Sequence, residues 1–582
     1  MASIDIESVL LKCSFLNNIN FCEFKSYKGL SYGMIFKARL IIEKEISLPI
    51  AICISEKWYR DLIDIYVEDY DKIDFLPHID NEGKICLFEL EGVLIDQNLQ
   101  GVLMASLVRA KDILTDGFSG TNREDFLDEF ELYWGQLPGH RSLKFDVPLS
   151  ETSQMIKITF ERPLQRKKEK QSEYFKRLHS APFYAGKDSE TLKRWNLKKA
   201  SVINAAYFVI SPDMNIFPPD IRKAISIEYL NDLLKWVSLK DVSNILSKLH
   251  SNMVLVFAIN QPRGTQNFAG FYVENGRLEK KDGRYWFINV SGLQPLEVRR
   301  ADKQFLMMRT AQENENANKK MLVVGCGSIG GYLIWELAKS GFEDITIVDN
   351  DSLSDENIFR HLLGMEYVSM YKCDAVEKYI RKNIPGVSIK PLAEKCEDVI
   401  LDEDISLEDY DMIISATGNH NLNRWLNSYM FDNKIDIPVI YAWNEVYGIG
   451  NHVAYFRYGN IGCYDCLFGR DEQTGEIYDK SSYCKAGQKV VQNAGGCGKT
   501  FVPYGDAISL KTVLLCLDVI RDVFAGKQET NFLVSVKGND VFFKKQGLEV
   551  SGRYNRQKES IKRLTGEQLL NTECGVCSGN RS

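Results

Sequence analysis

No apolar run in this chain approaches the roughly 18–20 residues that a membrane-spanning helix needs. The first residues, MASIDIESVLLKC, hold early acidic groups and no basic region, so no secretory leader is expected. There is no surplus of positive charge: the formal net charge is −7, which gives no support for a nucleic-acid surface. Internal repeats and low-complexity tracts are also missing. Fourteen cysteines spread over 582 residues do not make a disulfide framework. Thiols here are expected to be core residues, metal ligands or nucleophiles in a reducing, cytoplasmic setting. A chain of this length exceeds one hydrophobic core and implies several domains.

What the chain does contain begins most clearly at Met321. A β-branched run stops at Gly325, and Gly325, Gly327 and Gly330 follow at G-x-G-x-x-G spacing. A helical pattern comes next, then a second apolar run that ends at Asp349. Glycines let the backbone approach a phosphate, the helix start offers free N–H groups, and Asp349 stands where a carboxylate can take ribose hydroxyls. A dehydrogenase would begin the same way. Asn357 follows, and then Arg360 and Lys372 shift the balance, because cationic groups so placed suit a triphosphate under attack at its α-phosphate. The bland alternative is that Arg360 and Lys372 are solvated helix charges. Later segments (412–415, 421–431 and 438–442) alternate strand and helix, as in a doubly wound α/β fold.

Cys463 and Cys466 form one C-x-x-C, and Cys574 and Cys577 form another. Two such pairs can close a tetrahedral zinc site; buried thiols or a redox pair are the alternatives. Cys497 lies in the glycine-rich NAGGCGKTFVPYGDAISL, where small neighbours leave a thiol reachable and Lys489 and Lys499 favour a thiolate. Cys484 is the second choice, and both can be passengers. Cys326 reads as a small filler of the glycine turn. Cys13, Cys22, Cys53, Cys373, Cys396 and Cys516 read as core or incidental.

The elements VVGCGSIGGYL, VDND, ENIFR, Lys372 and SATGNHNLNR stand in the order found in the ubiquitin-activating family, which includes the ThiF-type activators of cofactor pathways. The chain resembles that family. The resemblance implies ATP contacts from Gly325, Gly327, Gly330, Asp349, Asn357, Arg360, Lys372, Asn419 and Arg424. It also implies Mg²⁺, a Zn²⁺ held by the four cysteines, an acyl-accepting Cys497 and a homodimer. One departure is Gly418, where the family has a metal-contacting Asp, leaving Mg²⁺ to Asp351 or water. Arg300 or Arg309 is a candidate for the arginine that such enzymes insert into the partner protomer's site.

Near the N-terminus, LPHIDNEGKICLFE resembles the active-site segment of ubiquitin-conjugating enzymes. Pro77, Gly83, Ile85, Cys86 and Leu87 keep that frame. His78 takes the place of the Asn that stabilises an oxyanion, and an imidazole N–H can donate the same bond. A helix is expected over 97–114.

The expected fold is α/β and α+β multidomain. A conjugating-like α+β domain occupies 1–148, a middle α+β domain 149–297, and a Rossmann-like adenylation domain 298–582. Together these resemble the conjugating–activating fusions of antiphage systems built around a cGAS-like nucleotidyltransferase. That resemblance implies activation of a partner's C-terminal glycine, thioesters at Cys497 and then Cys86, and transfer to a target amine, with no nucleic-acid or membrane partner. The rivals are an adenylating enzyme for a sulfur-carrier protein, which leaves Cys86 idle, and a non-catalytic nucleotide sensor.

Overall fold

The computed structural model describes the chain except residues 1–5, 44–45, 89–97, 162, 164, 167–168, 194, 196, 198–200, 282–283, 309, 311–315, 494–499, 529 and 579–582. It divides into two compact units, Met1–Asp302 and Lys303–Ser582. Among the described residues, no helix is long and apolar enough to cross a membrane.

After a short helical turn at Ile6–Leu11, the first unit builds an antiparallel sheet of β1 (Leu16–Cys22), β2 (Met34–Glu43), β3 (Ile46–Ile54) and β4 (Asp64–Val67), in that order. Apolar and polar residues alternate along β2 of the central β2–β3 pair, which leaves one face of the sheet apolar. Helix α1 (Leu99–Ser119) covers one face with Leu99, Val102, Leu103, Leu107, Ala110 and Leu114. These recur at helical spacing, which makes one apolar stripe. Asn98 caps its start by accepting from the Gln100 N–H, and Gly120 ends it in the left-handed region at φ 75°.

Two short helices follow, α2 (Asp125–Asp128) and α3 (Phe130–Trp134). They lead into a closed barrel of seven strands. These are β5 (Arg141–Asp146), β6 (Gln154–Phe160), β7 (Phe183–Gly186), β8 (Ile203–Ile210), β9 (Met253–Asn260), β10 (Gln266–Glu274) and β11 (Gly292–Arg300). Around the barrel the order is β8-β9-β10-β11-β5-β7-β6. It therefore starts before residue 149 and ends after residue 297. All seven strands send side chains such as Phe145, Ile158, Ala185, Tyr207, Val256, Phe268 and Leu296 into one shared core. The opposite face of β8, β9 and β10 is covered by α2, α3, α4 (Ile227–Leu234) and α5 (Leu239–Leu246). Burial of both faces explains why Met253–Ile259 reads as an unbroken apolar run. Residues 227–246 form two helices rather than one, because Ser226 and Ser238 each cap a new start through their side chains.

The second unit is a doubly wound sheet. Its strands are β12 (Lys320–Val324), β13 (Asp344–Val348), β14 (Ser388–Leu392), β15 (Met412–Ser415), β16 (Val439–Asn444) and β17 (Gly450–Phe456). A two-residue ribbon pairs β18 (Gln492–Asn493) with β19 (Thr500–Phe501), and β20 (Phe532–Lys537) and β21 (Ile561–Thr565) complete the sheet. The sheet order is β14-β13-β12-β15-β16-β17-β20-β21, parallel through β16 and antiparallel beyond. Helices α6 (Gly330–Lys339), α7 (Lys372–Asn383) and α9 (Asp506–Phe524) pack on one face, and α8 (His420–Asp432) on the other. After β12 the chain turns one way to β13 and later the other way to β15. Ligands bind in the crevice that such a switch opens at the carboxyl ends of the strands.

Candidate functional site

A cleft of about 580 Å³ lies at that switch. The glycine turn forms its floor. Gly325 sits at φ 94°, and a Cβ on Gly330 would fall 1.8 Å from the Gly325 carbonyl oxygen, so α6 meets the turn only because residue 330 is glycine. Gly330 is thus a packing residue behind the cleft. A Cβ on Gly327 would meet nothing within 4 Å, which leaves the backbone there open to a ligand.

Asp349 ends β13 and accepts from the Cys326 N–H at 2.6 Å and the Asp351 N–H at 2.8 Å. Burial nonetheless holds its carboxyl above the usual carboxylate range. Cys326 is fully buried, and burial pushes its thiol well up, which fits the filler reading. Lys372, at the start of α7, pairs with Asp351 at 2.9 Å. Arg360 donates to the Val502 carbonyl at 3.3 Å and lies over the Tyr504 ring at 5.5 Å. Asn357 accepts from the Ser354 N–H in a capping box that closes the turn before Arg360. Asn419 caps α8, its side chain accepting from Asn421 and Leu422 N–H groups. Gly418 sits at φ 65°, a conformation that glycine adopts without cost and aspartate does not.

Gly325, Gly327, Asp349, Asn357, Arg360, Lys372 and Asn419 all line this cleft. Arg424 does not; it pairs with Asp465 at 2.7 Å, beside Cys466. Several lining residues escaped the sequence reading. Ser328 and Tyr504 share a hydrogen bond of 2.9 Å across the cleft, and Asn444 lines it from the end of β16. His361, also lining it, is buried: Nε2 donates to the Cys326 carbonyl and Nδ1 accepts from the Leu363 N–H. Burial keeps this imidazole below its ordinary value, in the neutral tautomer. The only sequence signal for Tyr504 was its place in the loop before an apolar helix.

Cys497 lies outside the described residues. The strands that bracket it do not: β18 pairs with β19, Gln492 donates to Tyr447, and Tyr447 donates its N–H to the Pro503 carbonyl. Cys497 is five residues before the cleft-lining Val502, a span of at most about 17 Å of extended chain. Cys484 is half-buried, and its thiol is pushed up to about 11, first by burial and then by Glu445. Such a thiol is a poor nucleophile at neutral pH.

Cys463, Cys466, Cys574 and Cys577 converge, with all four sulfurs within 4.8 Å of one another. Three of the separations are 3.3, 3.6 and 4.0 Å. A tetrahedron of thiolates around zinc has edges of about 3.8 Å, from a Zn–S bond of about 2.3 Å. The cluster fits that geometry, and none of the four is in a disulfide.

In the first unit Cys86 is exposed. It lies on a tight hairpin whose Cys86 N–H donates to the His78 carbonyl at 2.8 Å. Gly83 turns that hairpin at φ 86°, and a Cβ there would strike the Val67 carbonyl oxygen at 2.6 Å. From α1, Arg109 donates to the Leu87 carbonyl at 3.3 Å. His78 and Cys86 share a small cavity of about 220 Å³. Both ring nitrogens of His78 are engaged, Nε2 with Asp125 at 2.8 Å and Nδ1 with Glu129 at 3.1 Å.

Sequence profiles match both regions: the ThiF family over residues 302–574 and prokaryotic E2 family B over residues 23–139. The chain is a fusion of an E2-like domain and an E1-like domain. Relatives share that span. The ATP-dependent ubiquitin transferase-like protein Cap2 of Pseudomonas aeruginosa is 25% identical over 471 residues, covering 77% of this chain and 79% of its own. Cap2 of Escherichia coli is 25% identical over 530 residues, covering 82% and 84%. Among solved structures, E. coli MccB aligns over 45% of this chain and 68% of its own at 18% identity and a TM-score of 0.32. The E1-like domain carries the glycine turn and the four-cysteine cluster, and the E2-like domain carries Cys86. Arg300, at the end of the barrel, is buried and held by Asp302 through two bonds of 2.8 Å, so it is not available for insertion into a second copy. Arg309 lies outside the described residues.

Proposed function

We propose that this E2–E1 fusion activates the C-terminal glycine of a partner protein with ATP and conjugates it to an amine. The carrying observation is one chain with a cation-lined nucleotide cleft in its E1-like domain and an exposed, turn-held thiol in its E2-like domain. The partner's carboxylate oxygen attacks the α-phosphorus of ATP, and pyrophosphate leaves. Arg360 and Lys372 neutralise the charge that gathers there. The Cys497 thiolate then attacks the acyl carbon and expels AMP. The Cys86 thiolate displaces Cys497 in turn, and an amine displaces Cys86, losing a proton as the amide forms. Gly327, Asp349, Asn357 and Asn419 are the proposed nucleotide contacts. Gly330 supports them from behind, and Arg424 sets the Asp465 side of α8.

Asp351 is the carboxylate that would hold a Mg²⁺, with water completing an oxygen-donor set that suits a hard cation. Bound there, the ion would offset phosphate charge. Cys463, Cys466, Cys574 and Cys577 would hold a structural Zn²⁺. We expect one zinc per chain by elemental analysis. Cys574→Ser should lose the metal and lower the Tm, since structural zinc contributes folding free energy directly; an unchanged Tm and metal-free wild type would contradict this.

The reading includes a homodimer, a cytoplasmic setting, and a cGAS-like nucleotidyltransferase of an antiphage system as the activated partner. The Cap2 name supports conjugation chemistry. Pyrophosphate release from ATP tests the assignment. It should require a partner with a free C-terminal glycine, and release without any partner, or none with one, would contradict it.

A further inference from the structure

The barrel and its helices have no part in the chemistry above, yet they end beside Cys86. Helices α2 and α3 are rooted in the barrel: Phe126, Phe130, Tyr133 and Trp134 share a core with Phe208, Phe257 and Phe271 of its strands. Trp134 also donates to the Leu296 carbonyl at 2.9 Å, and its ring meets Phe271 edge-on at 5.1 Å. From this footing three polar groups reach the hairpin. Tyr133, 1% exposed, accepts from the His78 N–H at 2.6 Å and donates to Glu129 at 2.6 Å. The second oxygen of Glu129 meets His78 Nδ1, and Asp125 meets Nε2. His78 is therefore gripped at its backbone and at both ends of its ring. Its φ of 61° lies in the left-handed region, which is strained for a residue with a side chain and persists only where surroundings enforce it.

We propose that Asp125, Glu129 and Tyr133 are positioning residues for Cys86, acting through His78, and that the barrel serves as the rigid seat that delivers them. This rests on Cys86 being the thioester carrier. The His78 carbonyl takes the Cys86 N–H, so fixing the left-handed turn fixes where the thiol stands. Carboxylates at both ring nitrogens demand two N–H donors, the imidazolium form. Neither N–H is left over for a thioester oxygen, so His78 works as a charged brace rather than as the oxyanion donor its sequence position suggests.

The electrostatics agree. The hydrogen bond to Glu129, with help from Asp125, holds His78 above its ordinary value against the opposing effect of burial. Burial raises Glu129, but His78 and Tyr133 outweigh it and hold the carboxyl low. The other ionisable groups at this cavity are Asp80, Lys84 and Cys86, all from the hairpin itself. A raised imidazole means the brace is complete below about pH 6.5 and fades as pH climbs through the folded value. On the Glu129 side it is lost as pH falls through that group's lowered value.

The test uses the full chain and the N-acetylglycyl thioester of mercaptoethanesulfonate. Cys86 sulfur takes the acyl group and expels mercaptoethanesulfonate; free lysine then takes it from Cys86, read as mass on the Cys86 peptide. Glu129→Gln and His78→Gln should each slow discharge to lysine about a hundredfold. The double variant should be no slower than the slower single, because both act through one brace. By NMR, the His78 ring should titrate above 6.5 in the wild type and fall in Glu129→Gln. If that variant unfolds, Asp125→Asn, at a part-exposed carboxylate, supplies the same two readouts. Wild-type discharge and an unmoved His78 titration in the variants, or losses that multiply, would overturn the brace. A wild-type chain that cannot hold the acyl group on Cys86 would instead overturn the thioester reading, and the brace with it.

Discussion

Cys86→Ala should abolish conjugates while the first, charging round of ATP-dependent pyrophosphate release still occurs. The thiol is exposed on a surface hairpin of the Met1–Asp302 unit, whereas the nucleotide cleft is built wholly within Lys303–Ser582. Cys86 is exposed, and truncating a surface side chain costs little stability, so folding should be intact and the effect confined to transfer. Since the covalent intermediate cannot form, the loss should be complete rather than graded. The sulfur-carrier reading gives the opposite outcome, because it leaves Cys86 without a task and product formation would continue. Gel separation of conjugates alongside a pyrophosphate assay distinguishes the two.

Arg360→Ala should cut adenylate formation by about 10²–10³, roughly 3–4 kcal/mol of transition-state stabilisation. Arg360 is held by the Val502 carbonyl and the Tyr504 ring, so its guanidinium is oriented before any ligand arrives. Preorganised charge of this kind acts where negative charge develops, and the loss should fall mainly on kcat. Lys372→Ala should be at least as damaging. It removes one cation and also strips Asp351 of its partner, leaving a carboxylate turned loose at the phosphate end of the cleft. Both effects are read from pyrophosphate release with saturating ATP. A Km change alone would mean that these residues only hold the nucleotide.

The glycine turn was legible because its constraints are local. Gly325 needs a left-handed backbone and Gly330 needs to carry no side chain, and both demands show in six residues of sequence. The cysteine pairs were legible as pairs for the same reason, since a C-x-x-C is one turn. Their meeting depends on how the long segment between them, with β20 and β21, returns along the sheet, and became visible only in the fold. The Cys86 frame was legible through Gly83, whose missing Cβ the Val67 carbonyl requires.

The barrel was not legible, because its closure rests on strand pairs distant in sequence, such as β5 with β11, that no periodicity encodes. Asp125 and Glu129 belong to no motif in the sequence, and only the packing of α2 and α3 turns them toward His78. His78 itself was read by position, which suggested an N–H donor; that both its ring nitrogens meet carboxylates shows only in the fold. Arg300 and Arg424 illustrate the same limit. Each looked available in the sequence, and each is held by a nearby aspartate in the fold.

The most direct measurement is the intact mass of the full chain after mixing with ATP and a partner ending in glycine, under non-reducing conditions. The account predicts an adduct equal to the partner less one water, mapped to Cys86, absent without ATP and released by added thiol. AMP formation with neither Cys86 nor Cys497 ever carrying the partner would contradict it.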